Sequence, residues 1–281
     1  MSDISLKLTY GSLGHILSII VPIFLIIILF YILRYTSSKT QRTVILFIML
    51  INVIQHVFKA WVWYPIWHGK FNVGESFFCN ICGCLIILSP LIFLSKKKGL
   101  KDALFILGNL SSIVSTWFIT ISYGLEFTSI VYIRYFTAHC LLMITSTLPV
   151  LLGLHTLNIK NCWVAGLFYI ALETLVFLND LTYVAWKNSW DWVYSYKVFY
   201  NTNSLFIAHA ANVHVFDHTF MEGTHIPFVI DDGTYKYTPI LWSAPVIFAW
   251  LCPFSALVIW LCGKIHIDDY YLAWREEKMD N

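Results

Sequence analysis

The sequence predicts an all-α protein, a polytopic bundle of about seven transmembrane helices, from its composition and its hydropathy pattern. Of its 281 residues, 58% are hydrophobic and 12% are charged. Soluble domains average roughly 45–50% apolar and roughly 25% charged residues. A soluble globule of this length would expose much of that apolar area to water. The composition therefore indicates lipid as the solvent, and it argues against disordered, collagen-like and nucleic-acid-binding classes.

Seven mostly apolar runs are long enough to cross a hydrocarbon core, which takes about 20 helical residues. They are Leu13–Tyr31, Thr43–Trp63, Phe77–Leu94, Leu104–Tyr123, Thr128–Leu154, Cys162–Ala185 and Pro239–Cys262. A backbone that faces lipid must satisfy its own polar groups, so runs of this length predict helices. The first run is too long for a signal-peptide core and lacks a basic n-region, so we expect a retained helix.

The basic residues predict the orientation of the bundle. Eleven of the 18 lie in the connections after the first, third and fifth runs and in the tail. These are Arg34, Lys39, Arg42, Lys96, Lys97, Lys98, Lys101, Lys160, Lys264, Arg275 and Lys278. Because basic connections stay on the cytoplasmic side, we expect an outside N-terminus and an inside C-terminus.

The longest connection, residues 186–236, is predicted to be an outer aromatic interfacial segment within a single transmembrane domain that covers residues 1–281. It is rich in Trp and Tyr, whose rings prefer the headgroup level. Residues 203–216 are apolar enough for a short re-entrant helix. The sequence leaves that helix open, together with the role of His209, His214 and His218, for which interfacial histidines are the simplest interpretation. Residues 231–234 predict an exposed turn.

Ionisable side chains are costly in lipid, so their positions within the runs are the best guide to a site. Asn52, Gln55, His56 and Lys59 lie on one face of the second helix, with the spacing i, i+3, i+4, i+7. Polar residues of the other helices are Asn80, Asn109, Ser112, Ser115, Thr116, Arg134, His139, Glu173, Asn179 and Asp180.

At about 1.5 Å per residue, most of these groups fall in the outer half of the bundle. This convergence predicts a polar cavity open to the outside, with His56, Lys59, Asn80, Arg134, Glu173 and Asp180 as its polar lining. The alternative is a set of interhelical hydrogen bonds and an Arg134–Glu173 ion pair that only hold the bundle together.

We expect neither a metal nor another cofactor. Cys79, Cys82 and Cys84 have a spacing similar to a metal-ligand set. A structural zinc site takes four ligands, however, normally in polar loops. The chain has seven cysteines, an odd number, all in or at the apolar runs. Most are therefore expected to be small apolar fillers.

The segment Glu75–Cys82 resembles the YwaF-like bacterial membrane proteins, whose third span opens with a Leu-Pro-Leu-His-Leu-Cys motif. Cys82 matches the motif cysteine, whereas Asn80 stands at its histidine and Phe78 at its proline. An aromatic-x-x-His element of the family is matched by Phe136–His139. The Asn-x-x-Tyr end of a later helix resembles residues 179–183. The resemblance covers roughly residues 71 to 185.

Eukaryotic relatives of that family include an acyltransferase that uses a membrane Cys and His, and lipid-ester hydrolases that use Thr and His. The resemblance therefore implies a catalytic pair, Cys82 as nucleophile and His139 as base, acting on a lipid acyl group. Arg134 or the amide of Asn80 would stabilise an oxyanion. Because Asn80 replaces the family histidine, an inactive member that binds without reacting is also consistent with the motif.

Two other functions stay open from the sequence. One is a transporter or substrate-binding membrane subunit with an outward-facing pocket for a small polar substrate. The other is a non-catalytic membrane assembly protein that uses the aromatic outer segment as an interaction surface. The expected partners are the lipid bilayer and a lipid or small polar substrate. No nucleic acid is expected, and no protein partner is indicated. Abundant Phe, Ile, Lys and Asn suggest an AT-rich genome, and hence a multi-pass protein of a bacterial plasma membrane.

Overall fold

The computed structural model describes residues 7–59, 78, 80–118, 124–187, 227–229, 235–237 and 239–264. Within these residues the chain forms seven α-helices and one two-stranded hairpin. The helices are α1 (Leu13–Leu33), α2 (Ser38–Val57), α3 (Ile81–Leu94), α4 (Lys98–Trp117), α5 (Ile130–Leu151), α6 (Cys162–Lys187) and α7 (Pro239–Lys264). A 3-10 turn, Ile159–Asn161, precedes α6.

The helix starts follow local capping chemistry more closely than hydropathy. Ser12, Ser37 and Ser129 are extended residues whose hydroxyls accept a backbone N–H from the first turns of α1, α2 and α5. The second helix therefore starts at Ser38, five residues before the predicted apolar run. Similarly, α4 starts at Lys98, because a charged first turn outside the apolar run can still be helical.

The prediction of an all-α membrane bundle is confirmed, and one pair of three-residue strands among the described residues leaves that class unchanged. Strand β1 (Pro227–Val229) pairs antiparallel with β2 (Tyr235–Tyr237) inside the predicted outer segment. The predicted turn at residues 231–234 and the candidate helix at 203–216 lie outside the described residues.

Three described helical stretches are long and apolar enough to cross a membrane: Leu13–Leu33, Ser38–Val57 and Ile159–Val176. Two shorter apolar stretches are Ile81–Leu94 and Ala249–Cys262. The orientation and the full number of spans stay predictions. The outer faces fit a lipid environment, since α1 exposes Ile16, Ile20, Phe24 and Ile27 along its length.

The centre of the bundle is formed by α3, α4 and α5, which supply most of the buried core. Helices α2 and α1 pack on α5, while α6 packs on α4 and carries α7 on its far side. The segment before α1 closes one end of the bundle. The N–H of Leu8, a fully buried residue, donates to the Leu125 carbonyl at 2.8 Å. In return Gly124, with a φ of 80°, donates to the Leu8 carbonyl at 2.8 Å.

Candidate functional site

The site is built on the first turn of α3, and Asn80 explains why the helix begins there. Asn80 has an extended backbone, and its side-chain oxygen accepts the N–H of Gly83 at 2.7 Å. This is the hydrogen bond of an asparagine N-cap, which satisfies one of the free donors of a helix start. Asn80, predicted as a pocket residue, therefore has a structural function at the site.

Cys82 is the second residue of α3 and lies at the positive end of the helix dipole. The first N–H groups of a helix have no partner within it. Within the described part of the chain, the N–H groups of Ile81 and Cys82 donate no hydrogen bond. The thiol is thus accompanied by two backbone donors and a favourable dipole, which are features of reactive cysteines.

Two serines of α4 hold the thiol from a neighbouring helix. The hydroxyl of Ser111 donates to the Cys82 sulfur at 2.9 Å, and the hydroxyl of Ser115 lies 4.0 Å from the same atom. Because they are four residues apart, both hydroxyls face α3. The thiol therefore has a fixed direction in a partly buried position.

The imidazole of His139, from α5, is an electrostatic neighbour of the Cys82 thiol. Its Nδ1 donates to the Tyr135 carbonyl at 2.8 Å, so Nδ1 carries the proton and Nε2 carries the lone pair. Nε2 is buried, and no described atom forms a full hydrogen bond with it. The ring is 6% exposed. The Tyr135 carbonyl therefore fixes the orientation of the ring and leaves Nε2 as the nitrogen that can meet the thiol.

Helix α2 fixes α5 next to that histidine. The amide of Asn52 donates to the Ala138 carbonyl at 3.0 Å, and the amide of Gln55 donates to the Asn52 oxygen at 2.6 Å. Asn52 of the predicted polar face therefore forms an interhelical hydrogen bond, and Gln55 supports Asn52 from within α2. This favours the bundle-holding interpretation for Asn52 and Gln55.

His56, the third residue of that face, lies against α3 at Gly83. A Cβ placed on Gly83 would lie 2.7 Å from Cε1 and 2.8 Å from Nε2 of His56. The imidazole is 3% exposed. A larger residue at position 83 would overlap the His56 ring. Gly83 therefore allows this second histidine to lie against the start of α3.

Three of the other predicted pocket residues have described side chains, namely Lys59, Arg134 and Glu173. Lys59 is buried just beyond the end of α2, and Arg134 is half-buried on α5 beside Tyr135. Glu173 is buried on α6, and its electrostatic neighbour Tyr169 is also a neighbour of Cys82. Asp180 belongs to α6, but its side chain lies outside the described residues.

The sequence interpretation missed three residues of the site: Ser111, Tyr135 and Tyr169. Ser111 was detectable, because it is four residues before Ser115, which had been identified as a polar residue of the same helix. The two tyrosines carry no such signal. In a chain with 16 tyrosines, an aromatic residue near a motif is expected by chance.

No group of three or more His, Cys, Asp or Glu that could hold a metal occurs among the described residues. Cys79 lies outside them. The groups around Cys82 are hydroxyls, imidazoles and phenols, which fit proton transfer and hydrogen bonding better than metal ligation.

Comparison with known proteins gives one match. The model of the TMEM164 family matches residues 10–262, which contain all the described helices except the last two residues of α7. No curated protein and no solved structure matches the chain. Because the match covers most of its length, the chain belongs to the TMEM164 family, a family of membrane proteins.

Proposed function

We propose that the chain is a membrane-embedded acyltransferase or lipid esterase with Cys82 as nucleophile and His139 as general base. The observation that carries the proposal is the state of the His139 ring. Its Nδ1 is committed to the Tyr135 carbonyl, while its Nε2 is buried, unbonded among the described residues and beside the thiol. This arrangement matches that of an activated nucleophile, in which an oriented imidazole takes the proton.

The first step transfers an acyl group to sulfur. Nε2 of His139 takes the thiol proton, and the sulfur attacks the carbonyl carbon of a lipid ester. In this proposal the N–H groups of Ile81 and Cys82 bind the oxyanion, because fixed donors stabilise the charge that develops on the carbonyl oxygen. The intermediate collapses when the ester C–O bond breaks. The imidazolium gives its proton to the departing alkoxide, which leaves as an alcohol.

The second step releases the acyl group from the thioester. A hydroxyl group of an acceptor lipid gives its proton to His139 and attacks the thioester carbon, and the thiolate leaves and regains the proton. Water in place of that acceptor would make the protein an esterase. Splitting acyl transfer in this way replaces one difficult step by two easier ones.

The remaining polar residues take supporting roles in this proposal. Asn80 holds the helix start, and Ser111 aims the thiol. Lys59 and Arg134 supply positive charge for a phosphate or oxyanion of the lipid. Glu173 completes the polar lining on α6.

The finer relationships are also proposals. We infer a distant kinship with the YwaF-like proteins from the motif at Cys82. We further infer one domain over residues 1–281, an outside N-terminus and an inside C-terminus, and a bacterial plasma membrane. The basic residues of the connections support the orientation.

Covalent labelling in membranes tests the nucleophile. A chloroacetamide that carries a long alkyl chain and an alkyne tag should label the wild-type chain, and the Cys82→Ala variant should lose that labelling. Cys252→Ala is the matched control, because Cys252 is a half-buried cysteine of α7 away from the site. Equal labelling of the wild type and Cys82→Ala would overturn the proposal.

A further inference from the structure

The hydroxyl of Ser111 differs from its neighbours on α4 in the group to which it donates. The hydroxyls of Ser112 and Thr116 each donate to the backbone carbonyl four residues earlier, at 2.7 and 2.8 Å. This back-bonding is an ordinary arrangement of Ser and Thr within a helix. Ser111 instead donates to another helix, to the Cys82 sulfur at 2.9 Å. Its oxygen therefore contacts the atom that carries the acyl group in the proposed reaction.

The position of Ser111 also suits it to meet that acyl group. The side chains of Cys82 and Ser111 are both half-buried, whereas Ser115 is 7% exposed and its hydroxyl lies 4.0 Å from the sulfur. An acyl carbon one bond from the sulfur can meet the Ser111 oxygen at roughly 3–3.5 Å, the separation of groups that are poised to react. Ser111 is therefore the better placed of the two serines to receive the acyl group.

The proton of the Ser111 hydroxyl has an acceptor at the same sulfur. Nε2 of His139 is buried, has no hydrogen-bond partner among the described residues and belongs to a ring beside the thiol. In the proposed first step the imidazolium gives its proton to the departing alcohol. The ring is thus neutral again once the thioester has formed, and a neutral imidazole is the base that activates a serine oxygen.

We propose that Ser111 is a second acyl-carrying residue, which receives the acyl group from Cys82 by a shift from sulfur to oxygen. Nε2 of His139 takes the hydroxyl proton while the Ser111 oxygen attacks the carbonyl carbon of the thioester. The C–S bond breaks, the thiolate leaves and regains the proton from the imidazolium, and an oxygen ester remains on Ser111. The step needs no further reactant. It rests on the proposed function, because it requires an acyl group on Cys82.

The shift gives the protein a stored form of the acyl group. A thioester is a more reactive acyl donor than an oxygen ester, so the equilibrium between the two residues favours the ester on Ser111. Attack of the Cys82 thiol on that ester regenerates the thioester, which an acceptor lipid then consumes. The acyl chain is therefore less exposed to hydrolysis between the arrival of the donor lipid and the arrival of the acceptor.

Hydroxylamine distinguishes the two adducts, because it cleaves thioesters at neutral pH and oxygen esters only in alkaline solution. Membranes that contain the full chain are treated with the nitrophenyl ester of an alkyne-tagged palmitic acid. The adduct is measured through the tag and located by peptide mass spectrometry. In the wild type we expect most of the tag to survive neutral hydroxylamine and to lie on Ser111.

Matched variants test the route of the acyl group. Ser111→Ala should carry its adduct on Cys82, and neutral hydroxylamine should remove that adduct. Ser112→Ala is the control, because it removes the adjacent hydroxyl that donates within α4, and it should behave as the wild type. Cys82→Ala should lose the adduct at both positions, since Ser111 receives its acyl group from the thioester.

The possible results separate this inference from the proposed function. A wild-type adduct on Cys82 that neutral hydroxylamine removes would overturn the shift and leave the Cys82 chemistry intact. An ester on Ser111 that persists in Cys82→Ala would show direct acylation of the serine and overturn both proposals. Absence of an adduct from both residues of the wild type would also overturn both. Loss of all adduct in Ser111→Ala would contradict transfer through Cys82.

Discussion

His139 of α5 lies near the start of α3, and His155, which follows α5, lies near its other end. The two buried rings differ in the groups that hold them. At the Cys82 end, a backbone carbonyl accepts Nδ1–H of His139 and leaves Nε2 as an unused acceptor. At the opposite end of α3, Asp102 accepts a hydrogen bond from Nε2 of His155 on one oxygen and from the Asn161 amide on the other. A carbonyl orients an imidazole through one hydrogen bond, and Asp102 does the same for His155 while its second oxygen also holds Asn161.

The hydrogen-bond partner of each histidine, more than its burial, therefore decides whether a ring nitrogen is left for proton transfer. His139 and His155 are 6% and 8% exposed, so burial does not distinguish them. The carbonyl partner suits a base that must accept and return a proton. The carboxylate partner suits a ring that acts as a fixed hydrogen-bond donor.

The largest effect is expected from His139→Ala. Removal of the base should slow alkylation of Cys82 by the alkyl chloroacetamide about 10²- to 10⁴-fold, the usual contribution of a general base. The rate is measured by the time course of tag incorporation in membranes. Asn161→Ala, which perturbs only the cluster at the other end, should leave the rate unchanged. Equal rates in wild type and His139→Ala would show that the thiol reacts without this imidazole.

Removal of Asp102 should damage stability more than reactivity. Asp102→Ala leaves His155 and Asn161 without their acceptor, and a buried donor left without a partner costs about 1–3 kcal/mol. Thermal unfolding in detergent measures the loss. Asp102→Asn keeps one side-chain oxygen and should lose less. A wild-type melting temperature for Asp102→Ala would mean that the cluster is not held by this carboxylate.

Gly83→Ala should affect both stability and the site. The new methyl group would overlap the His56 ring, so the ring or α3 must move, at about 1–3 kcal/mol for an overpacked position. Labelling of Cys82 should slow with it. In Gly99→Ala the nearest atom is Cγ2 of Val164 at 3.1 Å, which gives a milder contact on α4. If Gly83→Ala behaves like Gly99→Ala, His56 does not depend on this glycine.

The smallest effect is expected from Asn80→Ala. It removes the N-cap bond to Gly83 and should cost about 1 kcal/mol. Asn80→Asp keeps an oxygen at the cap and should restore most of the melting temperature. Failure of Asn80→Asp to exceed Asn80→Ala in stability would show that the amide nitrogen, and not the cap, is what matters.

The helices were predictable from the sequence because a backbone in lipid must satisfy its own hydrogen bonds, which a long apolar helix does. Each of the seven apolar runs overlaps one of α1 to α7, although the ends differ by several residues. The ends differ because capping by Ser37 or Asn80 is a local hydrogen-bond choice, whereas hydropathy averages over a whole run. The hairpin of β1 and β2 was not predicted, since three-residue strands leave almost no periodic signal.

The candidate site was predictable only in part. Cys82 and His139 were predicted from a motif, and their assignment as a catalytic pair stays a prediction, although the two are electrostatic neighbours. The Asp102–His155 pair was missed because its members are 53 residues apart and lie at the ends of helices, where charge is ordinary. Pairing across helices is set by the packing of α4 against the end of α5, which no local pattern encodes.

One connection made by α1 has a consequence for biosynthesis. The His15 ring donates to the Trp117 carbonyl at 2.9 Å, and the Ser18 hydroxyl donates to the Thr116 carbonyl at 3.1 Å. The partners of each pair are about a hundred residues apart in the chain. At 5–20 residues per second, α1 waits roughly 5–20 s for α4 to be synthesised. Its polar side chains must be tolerated by lipid or by the insertion machinery during that interval, so α1 docks onto the bundle after it has already entered the membrane.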